Sequence, residues 1–406
     1  MALTTVSSDR LSTNVKNTNF TAAEKQDLTD DILPLAGQLG NRNLSINGAD
    51  MMIAQRGTST TGLQNTGGVY TIDRFAHRRG GTWANAVWKD EQVDSGTGLF
   101  KKALKKTTTT AEGSAAASGK FVMIGHYIEA QNSIAAFGDG TAEAKSFTIS
   151  FYVKASIATT YCLHVSTSHL STNKAYLKQF TVNSAGTWER KTCTIPAITN
   201  SIGTINTSGN STGLRLHWVL DAPTRSSSQA ADTWFTFTDS DFGYPTGQGP
   251  TGYANTLNAT FELGGVQVEA GSVATDLEHK SFGEELALCQ RYYYKTYKQG
   301  IAPGTASQPA DITAKRNEDY SSGRTDHEFN SYFSVPMRVT PTLTFYSYAG
   351  TVNKFTNASF DFSGASEGTV AGNVYYGRKK ISHISLGDSV GAGKFCFFHF
   401  TASAEL

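Results

Sequence analysis

Apolar residues recur with a period of two over most of this 406-residue chain. In 147–154, Phe147, Ile149, Phe151 and Val153 share one face. In 214–220, Leu214, Leu216, Trp218 and Leu220 do the same, and 120–129 and 187–196 read as further strands. In 260–269, Phe261 and Leu263 precede a Gly-Gly pair and then Val266 and Val268, which predicts a strand with a bulge. Trp188 and Trp218 lie on these patterns and are expected in the core. Long Gly/Ser/Asn loops separate the strands with no helical pattern between them, which predicts an antiparallel two-sheet sandwich over 41–280. A second β region is expected over 298–406, with strand patterns at 333–347, 373–386 and 394–406.

Two stretches break the period. In 281–297, Ser281 and Glu284 have capping-box spacing, and Leu286, Cys289 and Tyr293 fall on one helical stripe. This predicts a short junction helix whose apolar face is buried, with Tyr292–Tyr294 opening the second β region. In 1–40, Thr21 and Glu24 form another capping box before Leu28, Ile32 and Leu35, and Pro34 limits the helix. A helix that short needs a partner to pack on, either its own β domain or another chain. The expected fold class is therefore all-β: an antiparallel sandwich, a junction helix, a smaller C-terminal β domain and a short N-terminal segment.

Composition narrows the function classes. Lys+Arg is 35 against Asp+Glu 34, and a net charge of +1 gives the chain no marked attraction to nucleic acid. The basic run at 100–110, beside a low-complexity stretch, reads as a solvated loop. No run reaches the ~18 apolar residues of a membrane span, and the first residues lack the apolar region of a signal peptide. Cys162, Cys193, Cys289 and Cys396 are widely scattered, which predicts buried free thiols in a chain made in a reducing cytoplasm.

Several quoted segments together resemble the fibre proteins of tailed phages of marine bacteria and cyanobacteria. They are 260–297, with "LGGVQVEAGSVATDLEHKSFGEELALCQRYYYK", then "AKSFTISFYVKAS", "NSAGTWERKTCTIP", "TGLRLHWVL" and the ending "FTASAEL". Asn47-Gly48, Gln55-Arg56-Gly57, Tyr70 and Asp73-Arg74-Phe75 resemble the entrance of that family's jelly roll. Asp276 stands where the family often has proline, and the loop 239–256 departs from it. The resemblance implies a jelly roll like a carbohydrate-binding module, placed in the virion and assembled in the host bacterial cytoplasm. It implies attachment to other virion proteins through residues 1–40, a homotrimer, and host-surface glycans as ligands.

No catalytic motif is evident, and no cofactor is expected. Glu129, Glu143, Glu189 and Glu262 lie on separate predicted strands, where two meeting would make a glycosidase pair. Sugar rings stack their C–H faces on exposed aromatics, which nominates Trp83, Trp88, Tyr244 and Tyr253 for carbohydrate binding, against core or loop packing for each. Trp83 and Trp88, five apart, would point to opposite faces of a flat strand. Asp239 and Asp241 beside Gly243 are the nearest thing to calcium ligands, against an Asx-type turn. The reading is a non-enzymatic fibre or surface appendage. Its rivals are a structural capsid, head-fibre or neck/tail component without a sugar ligand, and a polysaccharide depolymerase.

Overall fold

A computed structural model describes residues 43–113, 119–138, 144–198, 210–223, 228–238, 242–306, 313–316, 324–359, 365–390 and 395–406. The expected N-terminal helix, with Leu28, Ile32 and Leu35, lies outside the described residues. The remainder is all-β with antiparallel pairing throughout, as the period-two pattern requires.

One face of the sandwich is a six-stranded sheet. In spatial order it runs β1 (Ser59–Leu63), β4 (Val87–Asp94), β5 (Lys102–Thr110), β13 (Thr260–Ala270), β7 (Phe147–Ala155) and β10 (Glu189–Ile195). The other is a seven-stranded sheet: β12 (Phe235–Thr236), β9 (Lys174–Thr181), β8 (Thr160–Thr167), β11 (Thr212–Asp221), β6 (Phe121–Glu129), β3 (Phe75–Gly80) and β2 (Val69–Ile72). Inward side chains from both, including Phe151, Trp218, Leu216 and Phe261, form one continuous core. Phe151 and Trp218 meet edge to face at 5.6 Å across the layers.

The Gly-Gly signal in β13 is a real irregularity: pairing with β7 shifts register between Gly264 and Gln267, and Gly265 has φ of +55°. A Cβ on Gly264 would fall 2.3 Å from the Phe100 ring, so the absent side chain is what lets Phe100 cover the bulge.

The third sheet holds β14 (Tyr293–Lys295), β21 (Phe395–Ser403), β18 (Lys354–Ala358), β19 (Ser366–Tyr376), β20 (Lys380–Val390) and β16 (Arg324–Tyr332) in order. Two more strands, β15 (Thr313–Arg316) and β17 (Thr342–Tyr346), also pair with β21. Phe345, Phe355, Phe398 and Phe400 anchor its core.

Five expectations need correction. The basic run is strand β5, not a solvated loop: Leu104, Lys106 and Thr108 alternate inward and Lys102 pairs with Asp94 at 2.7 Å. The pattern at 373–386 is a hairpin, β19 and β20, and only 342–346 of the segment 333–347 is strand, after Pro336 and Pro341. Trp188 is half-buried against Phe100, its indole N–H donating to the Ser95 carbonyl at 2.9 Å. A helix missed by the pattern, α1 (Ala130–Phe137), follows β6 directly. Too short to stand alone, it is held by Phe137 stacking on Phe147 at 4.6 Å.

The fifth concerns the junction helix, α2 (Phe282–Gln290), which is present, with the Ser281 hydroxyl accepting the Glu284 N–H at 3.3 Å. Its inward face carries Glu285 with Cys289, however, while Leu286 is only half-buried. Glu285 takes the inward place because it accepts the Asn47 backbone N–H at 2.6 Å.

Candidate functional site

Tyr292 and Tyr293 after α2 and the motifs at the start of the sandwich meet in one buried polar cluster, while Tyr294 packs on Phe333 and Phe400 of the third sheet. The Asn47 side chain bonds the backbone of Ile53 and Asp73, which fixes the entrance loop. Gln55 then bridges the units, donating to Asp73 at 2.6 Å and to the Tyr293 carbonyl at 2.7 Å. Arg56 lies 3.6 Å over the Tyr293 ring and pairs with Glu405 at 2.9 Å. Arg74, fully buried, lies 3.5 Å over Tyr292, pairs with Glu405 and donates to the Tyr127 carbonyl. On the far side Arg291 grips Glu129 with two bonds, at 2.7 and 2.8 Å, and the Tyr292 hydroxyl donates to the same carboxylate.

Burial works against every charge here, and pairing decides the outcome. Burial opposes the Arg74 charge, yet Glu405 raises its pKa; burial likewise opposes the Glu129 charge, yet Arg291 and Tyr292 lower that carboxyl's pKa. Asp73 goes the other way, its pKa raised because burial outweighs Arg56. These ion pairs and hydrogen bonds join two β units, although Gln55 Oε1 and Arg74 Nε are buried with no hydrogen-bond partner among the described residues.

The four aromatics nominated for sugar stacking are buried: Trp83 1%, Trp88 0%, Tyr244 1% and Tyr253 0% exposed. None presents a ring face. Trp83 precedes β4 in a turn, so strand parity does not apply to it, and it packs edge-on against Trp88 at 5.0 Å. Tyr244 pins its loop to β11 by donating to the Leu220 carbonyl at 3.2 Å. The calcium candidates Asp239 and Asp241 lie outside the described residues, and no cluster of three metal-ligating side chains occurs among the described ones. Of the four glutamates, Glu143 is undescribed, Glu129 is held by Arg291, Glu189 by Lys191 and Glu262 by Lys154.

The open site is elsewhere, on a tryptophan that period-two reading passed over. Where β12 meets β9, a cavity of about 350 Å³ is lined by Lys174, Pro196, Ile198, Asp232, Thr233 and Trp234. Trp234 is half-buried; its indole N–H donates to the Pro196 carbonyl at 2.9 Å and Tyr176 backs it at 5.3 Å, which holds the ring still. Asp232, at φ +60°, is exposed and takes bonds from Lys178 at 2.8 Å and from the Tyr176 hydroxyl. Burial, and then Asp232, push the Tyr176 pKa up to about 12, so it remains a donor. An aromatic plane, an aliphatic wall, a carboxylate, an ammonium and a hydroxyl surround a space of small-ligand size. Its only sequence signal is one Trp in a Gly/Ser/Asp-rich loop.

No protein-family model matches the chain, and no curated protein is similar to it in sequence. Solved structures are similar in part. A family 11 carbohydrate-binding module from Clostridium thermocellum, in complex with a mixed-linked tetrasaccharide, is 14% identical with a TM-score of 0.25, over 55% of this chain and 99% of that one. The xylan-binding domain of Paenibacillus barcinonensis is 11% identical with a TM-score of 0.25, over 54% and 99%. The enzymatically active domain of bacteriophage CBA120 tailspike protein 4 is 8% identical with a TM-score of 0.25. That match covers 48% of this chain and only 19% of that one. Likeness at this level lends the chain no function.

Proposed function

We propose that the chain is a non-enzymatic glycan-binding protein of a tailed-phage virion, a fibre or surface appendage that adsorbs to host-surface sugars. The observation that carries glycan binding is the Trp234 cavity. Its ring is half-buried, tied to the Pro196 carbonyl and backed by Tyr176, so a sugar would meet a stacking plane whose position is already set. Asp232, Lys174 and Thr233 beside the ring supply acceptors and donors for ring hydroxyls. The phage setting rests on the resemblance of 260–297 and the entrance motifs. A trimer would multiply weak sites into useful avidity. In support of a non-enzymatic role, Glu129, Glu189 and Glu262 are each engaged by a neighbouring cation.

Glycan-array binding by the purified chain tests this, with Trp234→Ala expected to lose at least tenfold in affinity while remaining folded, as read from its far-UV circular dichroism. Binding unaffected by Trp234→Ala would move the site elsewhere. The absence of any binding to host polysaccharide would favour the second reading, a purely structural virion component, for which the buried ion-pair cluster joining the β units at Arg74 and Glu405 speaks. Release of reducing ends from host polysaccharide would establish a depolymerase instead. Deleting residues 1–40 is expected to leave a folded trimer that no longer joins particles.

A further inference from the structure

The basic run that proved to be β5 places an amine in the sandwich interior. Lys106 and Asp90 are direct cross-strand partners on β5 and β4. The Lys106 amine touches a carboxyl oxygen of Asp90 and lies 2.8 Å from Nδ1 of His77 on β3, across the core. All three side chains are sealed, at 0%, 1% and 0% exposed, and Trp88 packs on His77 at 5.8 Å. The other His77 nitrogen, Nε2, is buried without a hydrogen-bond partner among the described residues, so the ring's one polar contact is with this amine.

We propose that this triad is a self-condensing cross-link site, in which Lys106 and Asp90 join through an amide bond with His77 moving the proton. The Lys106 nitrogen lone pair attacks Cγ of Asp90, forming the C–N bond as the carbonyl electrons move to oxygen. His77 Nδ1 accepts a proton from that nitrogen and delivers it to the departing hydroxyl. The C–O bond breaks and one water leaves. Amine plus carboxylic acid gives amide plus water, with nothing oxidised or reduced.

The environment favours each requirement. A nucleophilic amine must be neutral, and burial lowers the Lys106 pKa against the pull of Asp90. The acid must hold a proton to lose hydroxyl, and burial raises Asp90 against the opposing pull of Lys106. Burial, the largest influence on His77, holds its pKa well below the ordinary range, so the ring is neutral and its Nδ1 lone pair is free at 2.8 Å from the amine. A buried ion pair carries a desolvation cost that a neutral amide largely escapes, and exclusion of water protects the product from hydrolysis. Contact geometry already brings the reacting groups together, which removes most of the entropic barrier to a slow intramolecular step. Such a bond would tie β4 to β5, giving an appendage resistance to unfolding outside the cell.

Intact-mass measurement of the purified, denatured full-length chain tests this. The expected mass is one water below that of the sequence. After trypsin, the peptide 90–101 should remain joined to 106–120, because an acylated Lys106 is no longer a cleavage site. Lys106→Met should restore the full sequence mass. Asp90→Asn should reach the same product mass as the wild type by losing ammonia. His77→Gln should slow condensation, and a fully cross-linked His77→Gln protein would remove the histidine from the mechanism. A wild-type chain that keeps its full sequence mass after prolonged incubation would overturn the proposal and leave an ion pair only. That measurement needs no variant to fold.

Discussion

The guanidinium of Arg74 lies 3.5 Å over the ring of Tyr292 while its charge pairs with Glu405 near the C-terminus, so one buried residue holds both ends of the third sheet against the sandwich. Planarity and charge are both used, and lysine offers only the second. Arg74→Ala leaves Glu405 facing a sealed site with Arg56 as its remaining partner. The expected cost is about 3–5 kcal/mol, read from urea unfolding, with little recovery in Arg74→Lys. A loss below about 1 kcal/mol would show that the cluster contributes little.

The last three residues are expected to be a lock. Arg338 donates to the carbonyls of Ala404 and Glu405, each at 2.7 Å, and the Ala404 N–H donates to the Tyr292 carbonyl at 2.7 Å. Truncation after Ser403 removes those acceptors and the Glu405 carboxylate together. Limited trypsin digestion should then cut rapidly after Lys295, which is buried on β14 in the intact chain. Equal cleavage rates would refute the lock.

Asp221 should make stability fall as pH rises through the mildly acidic range. Burial pushes its pKa from 3.8 up to about 6, although it accepts the Ala254 N–H at 2.9 Å. Below about pH 4 both folded and unfolded chains hold the proton; between 4 and 6 only the folded chain does, so stability drops with pH and then levels. Asp221→Asn keeps an acceptor for Ala254 and has no proton to lose. The variant should gain up to about 3 kcal/mol over wild type at pH 7, with the difference vanishing near pH 3. A pH-independent difference would contradict this.

Gly264→Ala tests the bulge in β13. The new methyl would fall against the Phe100 ring, which must shift from its place beside Trp188. Destabilisation of about 1–3 kcal/mol is expected in thermal or urea unfolding. The exposed Gly283, which has nothing near its missing Cβ, is the control and should tolerate alanine.

All four cysteines are buried free thiols, and burial raises the pKa of each. Thiol reagent should therefore find none in the native protein and four after denaturation. A substoichiometric count in denaturant would mean an unexpected disulfide.

Period-two alternation determined the fold class by itself, because side chains on a strand must alternate and the inward face of each sheet is apolar. Phe151, Leu216, Trp218 and Phe261 were legible as core for that reason. The Ser281 cap and the β13 bulge were equally legible, since each depends on neighbours within a few residues. Tertiary structure decided everything that depended on distant partners. Lys106 reads as solvent-facing until Asp90 and His77 are brought beside it, and Glu285 displaces Leu286 only because the Asn47 amide waits there. Phe397 and Phe398 are consecutive on β21 and so point to opposite faces, yet both are buried within this chain, Phe397 against Tyr348 and Phe398 against Phe345. The same limit hid the candidate site. An aromatic in a loop is core or platform according to what packs over it, and burial took Trp83, Trp88, Tyr244 and Tyr253 but left Trp234 half open.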